Sequence, residues 1–267
     1  MSALIDRLPA ISLEELNATA ALQTRVDRKY ILPHVELDSA LAALPAGTRA
    51  LEVDGVRSAR YASMYFDTVE LSGYLGAARR RRRRFKVRTR SYLDSEQCFL
   101  EVKTPGARST TVKERQEHPF DAREELGEAG RAYADELLAV ADVEAADLMP
   151  VLETRYRRST LHVPGVAGRG ASRATVDLEL EWQLVTGETM TLPELAIVET
   201  KSGPQASPVD RLLWRAGHRP VSISKYATGM AALVPGLPAN KWAPVLRRWF
   251  PAAEGPATAP IPLRRAA

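Results

Sequence analysis

Residues 172–185 read SRATVDLELEWQLV. With a side-chain period of two, Arg173, Thr175, Asp177, Glu179 and Glu181 fall on one face of a strand, and Ala174, Val176, Leu178, Leu180 and Trp182 on the other. The solvent face of an ordinary sheet also alternates, but it mixes in serine, glutamine and asparagine; this face is mostly charged and carries both signs.

The same pattern recurs outward from this stretch. In TRVDRKYIL (24–32), Arg25, Asp27 and Lys29 share a face. In RFKVRTRSY (84–92), Arg84, Lys86, Arg88 and Arg90 lie opposite Phe85 and Val87. In QCFLEVKTP (97–105), Glu101 and Lys103 lie opposite Leu100 and Val102, TVKERQE (111–117) groups Lys113, Arg115 and Glu117, and LAIVETKS (195–202) groups Glu199 and Lys201. About eight such strands predict an α+β fold: an antiparallel, tunnel-like β-barrel with a charged interior and helices on its apolar outer face. Helical patterns cover 34–44, 121–141, 208–217 with Pro208 in the first turn, 224–233, and a short segment of NKWAPVLRRWF (240–250). Charges inside a barrel are paired or await a ligand. Excess Arg and Lys there implies a polyanion, and the interspersed carboxylates imply a divalent metal accompanying it.

Composition narrows the classes. The chain has 267 residues with 37 Lys and Arg against 33 Asp and Glu, a net charge of only +4, so its basic charge is local and not general. One domain over 1–250 is expected, followed by a disordered Pro/Ala-rich tail over 251–267. No apolar stretch reaches the ~18 residues of a membrane span, and MSALIDRLPAISLEEL lacks the layout of a secretory signal. A single cysteine, Cys98, excludes an internal disulfide, fits a reducing cytoplasm, and by parity is buried and inert. Four scattered histidines argue against zinc, and no Ser-His-Asp or Cys-His set points to a covalent phospho-enzyme. The six arginines at 79–84 cannot all line one wall, because consecutive strand residues point to both faces. Arg84, and with it Arg82, is able to join the wall; Arg79, Arg80 and Arg81 belong to a turn or mouth beside it.

Nine short pieces occur in order: RKY (28–30), SMYFDT (63–68), RTRSY (88–92), FLEVKT (99–104), VKER (112–115), YRR (156–158), RATVD (173–177), IVETK (197–201) and SKYATG (224–229). With them the chain resembles the VTC domain, the polyphosphate polymerase domain of the vacuolar transporter chaperone family, in a stand-alone bacterial form. That family belongs to the triphosphate tunnel metalloenzymes. The resemblance implies that Lys29, Arg88, Arg90, Lys103, Lys113, Arg158, Arg173 and Lys225 handle the reacting phosphates, with Tyr156 and Ser224 among the substrate contacts and Glu199 as the ligand of Mn²⁺ or Mg²⁺. From the strand faces, Lys86 and Lys201 join the substrate contacts, and Glu101, Asp177, Glu179 and Glu181 stand as second metal candidates or as partners of the arginines. Tyr156 fits core packing as well as ligand contact, whereas Tyr30 and Tyr226 read as structural.

The implied partners are ATP and inorganic polyphosphate, with no specific nucleic acid and no membrane segment of its own; coupling to transport would need a separate membrane partner. Two features separate this chain from relatives. The first strand reads Arg25-x-Asp27-x-Lys29 where the triphosphatase and cyclase branches carry Glu-x-Glu-x-Lys, which favours the polymerase branch. Ser222 stands where the eukaryotic catalytic subunit has a further lysine. The expected activity is transfer of the γ-phosphoryl group of ATP onto polyphosphate. The alternatives are a metal-dependent tripolyphosphatase or nucleoside triphosphatase, and a non-catalytic binding module for polyphosphate or nucleic acid built on the arginine run.

Overall fold

A computed structural model describes residues 3–19, 26–106, 111–165 and 170–250; Arg25 and the tail over 251–267 lie outside the described residues. In chain order the elements are α1 (Ala3–Arg7), β1 (Ala10–Ile11), α2 (Leu13–Thr19), β2 (Val26–Pro33), α3 (His34–Ala42), β3 (Arg49–Leu51), β4 (Ala59–Asp67), α4 (Ser72–Ala78), β5 (Lys86–Tyr92), β6 (Gln97–Pro105), β7 (Thr111–His118) and α5 (Gly127–Leu138). They continue with β8 (Met149–Val163), β9 (Ser172–Leu184), β10 (Thr189–Leu192), β11 (Leu195–Ser202), α6 (Pro208–Arg215), α7 (Lys225–Leu233) and α8 (Ala243–Trp249).

The antiparallel α+β class expected from the alternation is the class observed. Hydrogen-bonded neighbours run β2-β11-β9-β8-β4-β5-β6-β7, with β10 added to β9 and β3 to β8. The six strands read from alternation lie on this path, which β4 and β8 bring to eight, but it starts at β2 and ends at β7, so closure by hydrogen bonding is not seen among the described residues. Both ends have a physical reason. Along β7, Thr111–Arg115 is exposed and carries Lys113, Glu114 and Arg115, the charged edge that resists addition of another strand. On β2, the Lys29 carbonyl is taken by the Val221 N–H at 2.7 Å.

The chain divides into two compact units: Met1–Arg60, Tyr156–Leu180 and Leu192–Ser222 form the first, and Tyr61–Arg155, Glu181–Thr191 and Ile223–Ala267 the second. Each has its own core. In the first, the inward residues of β2, β8, β9 and β11, among them Leu32, Leu161, Val176 and Val198, pack against Leu37 and Leu41 of α3 and Val209 and Leu213 of α6. In the second, Phe66, Val87, Leu100 and Val102 pack against Leu126 and against Ala134 and Leu138 of α5. Burying each such Leu or Phe contributes about 1.5–3 kcal/mol, and alternation then turns the charged residues to the opposite face of each strand.

Three of the short sequence pieces act here. In RKY, Tyr30 donates its hydroxyl proton to Asp210 at 2.7 Å and Arg28 lies 3.5 Å from the same carboxylate. Asp210 also completes the capping box of α6 with Ser207, and Pro208 opens that helix as expected. β2 is thus tied to α6 by the residues on either side of Lys29. In SMYFDT, Asp67 accepts from the backbone N–H groups of Thr68, Gly73 and Tyr74, each at 2.8 Å. A Cβ at Gly73 would sit 3.1 Å from both oxygens of that carboxylate, so glycine permits the approach. In SKYATG, a Cβ at Gly229 would fall 2.2 Å from the Trp182 ring, which fixes how closely α7 lies on β9.

Candidate functional site

The second unit holds the denser charge. Pairing between β5, β6 and β7 sets Lys86 opposite Lys103 and Lys103 opposite Lys113, and in the next row Arg88 opposite Glu101 and Glu101 opposite Arg115. Three lysines in one cross-strand row oppose one another, and like charges directly opposite are destabilising. A single buried carboxylate, Glu101, partly offsets this. Arg88 donates to its Oε2 from Nε at 2.8 Å and Nη2 at 2.5 Å, Lys113 Nζ reaches Oε1 at 2.6 Å, and Arg90 Nη2 stands 3.7 Å away. Burial alone would raise the Glu101 pKa; Arg88 and Lys113 outweigh it and hold the carboxyl down to about 2.

Two cations are left under-used. Among the described residues Lys103 has no hydrogen bond or ion pair, and Arg90 Nε–H is buried without an acceptor. Burial, with Arg88 and Lys86 alongside, lowers the Lys103 pKa from 10.5 to about 7. Arg115, which the sequence reading placed on this face but not in the site, lies with its guanidinium 4.8 Å from the centre of the Phe99 ring. Tyr65 was also missed: its hydroxyl accepts from Arg88 Nη1 at 3.1 Å, and its ring stacks on Tyr226 with centroids 5.1 Å apart. Tyr226 in turn donates to Asp67, so the residues beside SMYFDT and SKYATG hold Arg88 in place. Ser224 caps α7 and accepts from Lys86 Nζ at 3.0 Å, which joins two predicted substrate contacts. Lys225 is the first residue of α7, where its carbonyl accepts from the Trp182 indole at 2.8 Å.

The first unit brings together Lys29, Tyr156, Arg158, Asp177, Glu199 and Lys201. Glu199 is opposite Lys29 on β2 and Thr175 on β9. Its Oε1 is 2.7 Å from Lys201 Nζ and its Oε2 3.5 Å from Lys29 Nζ. Burial would raise its pKa, but Lys201, Lys29 and Arg158 hold it well below the usual carboxylate range. Arg158 forks onto Asp177, Nε to Oδ1 at 2.6 Å and Nη2 to Oδ2 at 2.7 Å, and its guanidinium lies 5.2 Å from the centre of the Tyr156 ring. Arg173 donates to the Leu16 carbonyl at 2.6 Å and to Asn17 at 2.9 Å, and so is engaged by α2.

The alternation along β9 breaks at Glu179, which adopts φ +51°. Its side chain, 61% exposed, stands 3.9 Å from Arg157, apart from the Asp177 group. Glu181 acts with Glu153 on the charge of Arg155. Of the four second metal candidates, then, Glu101 and Asp177 are taken up by arginines, and the other two lie with different partners. Among the described residues no group of three or more His, Cys, Asp or Glu side chains comes together. Glu199 fits a divalent metal as one hard oxygen ligand. It is ionised, and mobile ammonium groups contact its oxygens where Asp177 is held by a guanidinium fork; phosphate oxygens and water commonly complete such a shell.

Lys103 yields a pH prediction. A polyanion on this face favours the ammonium form, so binding of tripolyphosphate at about pH 8 is expected to take up a proton at Lys103. Calorimetry in buffers of different ionisation enthalpy reads that uptake, and Lys103→Met should remove it. In the free protein the unfolded chain holds the Lys103 proton up to 10.5 and the folded one only to about 7. Its contribution to stability is therefore full above 10.5 and is lost as pH falls through about 7. Uptake identical in wild type and variant would refute the assignment.

The antiparallel α+β fold thus presents a sheet face lined by lysine and arginine around one buried carboxylate, a surface suited to an anionic ligand. The chain belongs to the VTC domain family, whose model matches residues 24–234. Membership makes its chemistry that of phosphoryl transfer or hydrolysis on polyphosphate-related substrates, in a family generally dependent on a divalent metal. A search of curated proteins finds no match. Similar solved structures include a putative adenylyl cyclase from Hippeastrum, described as having a dominant triphosphatase activity, at 14% identity and TM-score 0.41, covering 79% of this chain and 98% of that one. A conserved hypothetical protein from Pyrococcus furiosus matches at 12% identity and TM-score 0.37, covering 73% of this chain and 88% of its own. No helix of the described residues is long and apolar enough to cross a membrane.

Proposed function

We propose that this protein is a polyphosphate polymerase that moves the γ-phosphoryl group of ATP onto the end of an inorganic polyphosphate chain. The observation that carries the reading is the row Lys86–Lys103–Lys113, set beside an Arg90 Nε–H that is buried without an acceptor. Such a row costs stability in the free protein and is offset when a chain of phosphates lies across it. A compact ligand with one phosphate would use a single cation of the row; a linear polyanion uses all three.

In the reaction the bond between the γ-phosphorus and the β–γ bridging oxygen breaks. A terminal phosphate oxygen of the polymer forms the new bond to that phosphorus, and ADP leaves with the electron pair. The residues hold and align the charged groups: Arg90 donates in a fork to phosphate oxygens, while Lys86, Lys103 and Lys113 act as point charges that let a chain bind and still slide. Arg88 fixes Glu101, which keeps Lys113 and Arg90 from spreading apart. Glu199 would hold the divalent metal, which when bound neutralises charge on the phosphate oxygens.

Incubation of the purified protein with ATP and Mn²⁺, followed by electrophoresis of the products, tests the reading. Long polyphosphate with stoichiometric ADP is expected. ATP turnover that yields only free phosphate would instead make the protein a triphosphatase.

A further inference from the structure

We propose that Arg79–Arg84 and Lys241 form a second anion-binding surface, outside the phosphate-gripping residues, that holds the distal part of a polyphosphate chain. This extends the polymerase reading and rests on it for the identity of the ligand. All six arginines are exposed, and among the described residues none has a carboxylate within ion-pair distance. The segment is nonetheless ordered by its backbone. Arg79 N–H donates to the Leu75 carbonyl and Arg81 N–H to the Gly76 carbonyl, each at 2.9 Å, and Arg84 Cβ packs where a Cβ on Gly76 would come within 3.3 Å.

Lys241 adds a seventh cation. Its ammonium donates to the Ala77 carbonyl at 3.2 Å and lies 5.3 Å from the centre of the Trp242 ring, which fixes it beside the arginines. Burial lowers its pKa, and Arg84 and Arg80 lower it further, as expected where positive charge accumulates without a counter-ion. Arg80 adopts φ +53°, a conformation that glycine takes more easily, yet the position carries a guanidinium.

The chemistry recognised is a flexible chain of closely spaced negative charges. Arg84 precedes Lys86, the first residue of β5, by two residues, a chain length of at most about 7 Å, so the surface adjoins the lysine row. A polyphosphate long enough to leave that row would meet the arginines next. Nucleic acid would bring the same sign of charge, but polyphosphate carries more of it per unit length and needs no aromatic platform to stack its bases, and the exposed run itself contains no aromatic residue.

The test compares wild type with the triple variant Arg79→Gln, Arg80→Gln, Arg81→Gln, and with Arg80→Gly, which relieves the backbone. Equilibrium binding is measured for long-chain polyphosphate, tripolyphosphate and single-stranded RNA of matched charge. At low ionic strength the triple variant should lose about tenfold in affinity for long-chain polyphosphate, and at ~1 M salt almost nothing. Arg80→Gly should be at least as heat-stable as wild type and weaker in the same binding. Tripolyphosphate binding should not change in either variant. Unchanged long-chain binding in the triple variant overturns the proposal, as does RNA that binds wild type more tightly than polyphosphate and loses that binding in the variant. Failure of the polymerase reading looks different: ATP turnover would yield free phosphate and no polymer in wild type and triple variant alike, whatever the arginine run binds.

Discussion

Arg88→Ala is expected to destabilise the protein by about 3 kcal/mol as well as to abolish most phosphate binding, whereas Arg90→Ala should abolish binding with little loss of stability. The difference follows from what each guanidinium already does. Arg88 spends Nε and Nη2 on Glu101 and Nη1 on Tyr65. Its removal uncovers a carboxylate that is only 1% exposed. The cost stays at the low end for a broken buried pair because Lys113, at 2.6 Å, and Arg90, at 3.7 Å, remain. Arg90 has a buried Nε–H with nothing to lose in the free protein.

Acid titration separates the two further. The Glu101 carboxyl, held to about 2 in the native state, stabilises the fold fully above its ordinary value of 4.5 and loses that contribution as pH falls toward about 2. Without Arg88 its pKa moves back up, so the variant should unfold at a higher pH than wild type. Arg88→Lys should recover part of the stability and less of the binding, since one ammonium cannot span Glu101 and Tyr65 together. Urea and acid unfolding curves of Arg88→Ala that overlay those of wild type would show that Glu101 does not depend on this pair.

Much of this was legible in the residues, for a definite reason. Alternation depends only on the two-residue period, and it set Lys86, Arg88 and Arg90 together and put Cys98 in the interior, where it is found. Helices with a strong stop or start, such as Pro208 after Ser207, could be read as well. The run over 72–78 was missed because SGYLGAA has no helical apolar stripe; it is helical because Asp67, from the end of β4, caps it through tertiary approach. Glu179 was misplaced because a positive φ on a non-glycine residue leaves no trace in a binary pattern. Pairing was the least legible part. Period two says which residues share a face, but the register that sets Lys103 between Lys86 and Lys113 depends on hydrogen bonding between distant segments. Tyr226 looked structural and Tyr65 went unread for the same reason: their contact with each other joins residues 161 positions apart, and only the fold reveals that it reaches Arg88.

Glu199→Gln is expected to keep the fold and to lower metal-dependent turnover by on the order of a hundredfold or more. Glutamine preserves the shape of the side chain but cannot supply the anionic oxygen that Mg²⁺ or Mn²⁺ prefers. The cost to stability should be modest and seen above about pH 4.5, because the contribution lost is that of a carboxylate whose pKa is held down by Lys201, Lys29 and Arg158. The same surroundings make a second, independent expectation. Glu199 and Asp177 stand against Lys29, Lys201 and Arg158, so the group is net positive before any ligand arrives and should hold Mn²⁺ poorly by itself. Tripolyphosphate reverses the sign of the local charge, and Mn²⁺ should then bind much more tightly. Electron paramagnetic resonance of Mn²⁺ reads both states without any turnover. In wild type the bound signal should appear only when Mn²⁺ and tripolyphosphate are present together with the protein, and in Glu199→Gln it should fall to the level of Mn²⁺ and tripolyphosphate without protein. Tight Mn²⁺ binding to the wild type without phosphate, or an unchanged ternary signal in the variant, would place the metal on other residues and leave Glu199 as a counter-ion for the two lysines.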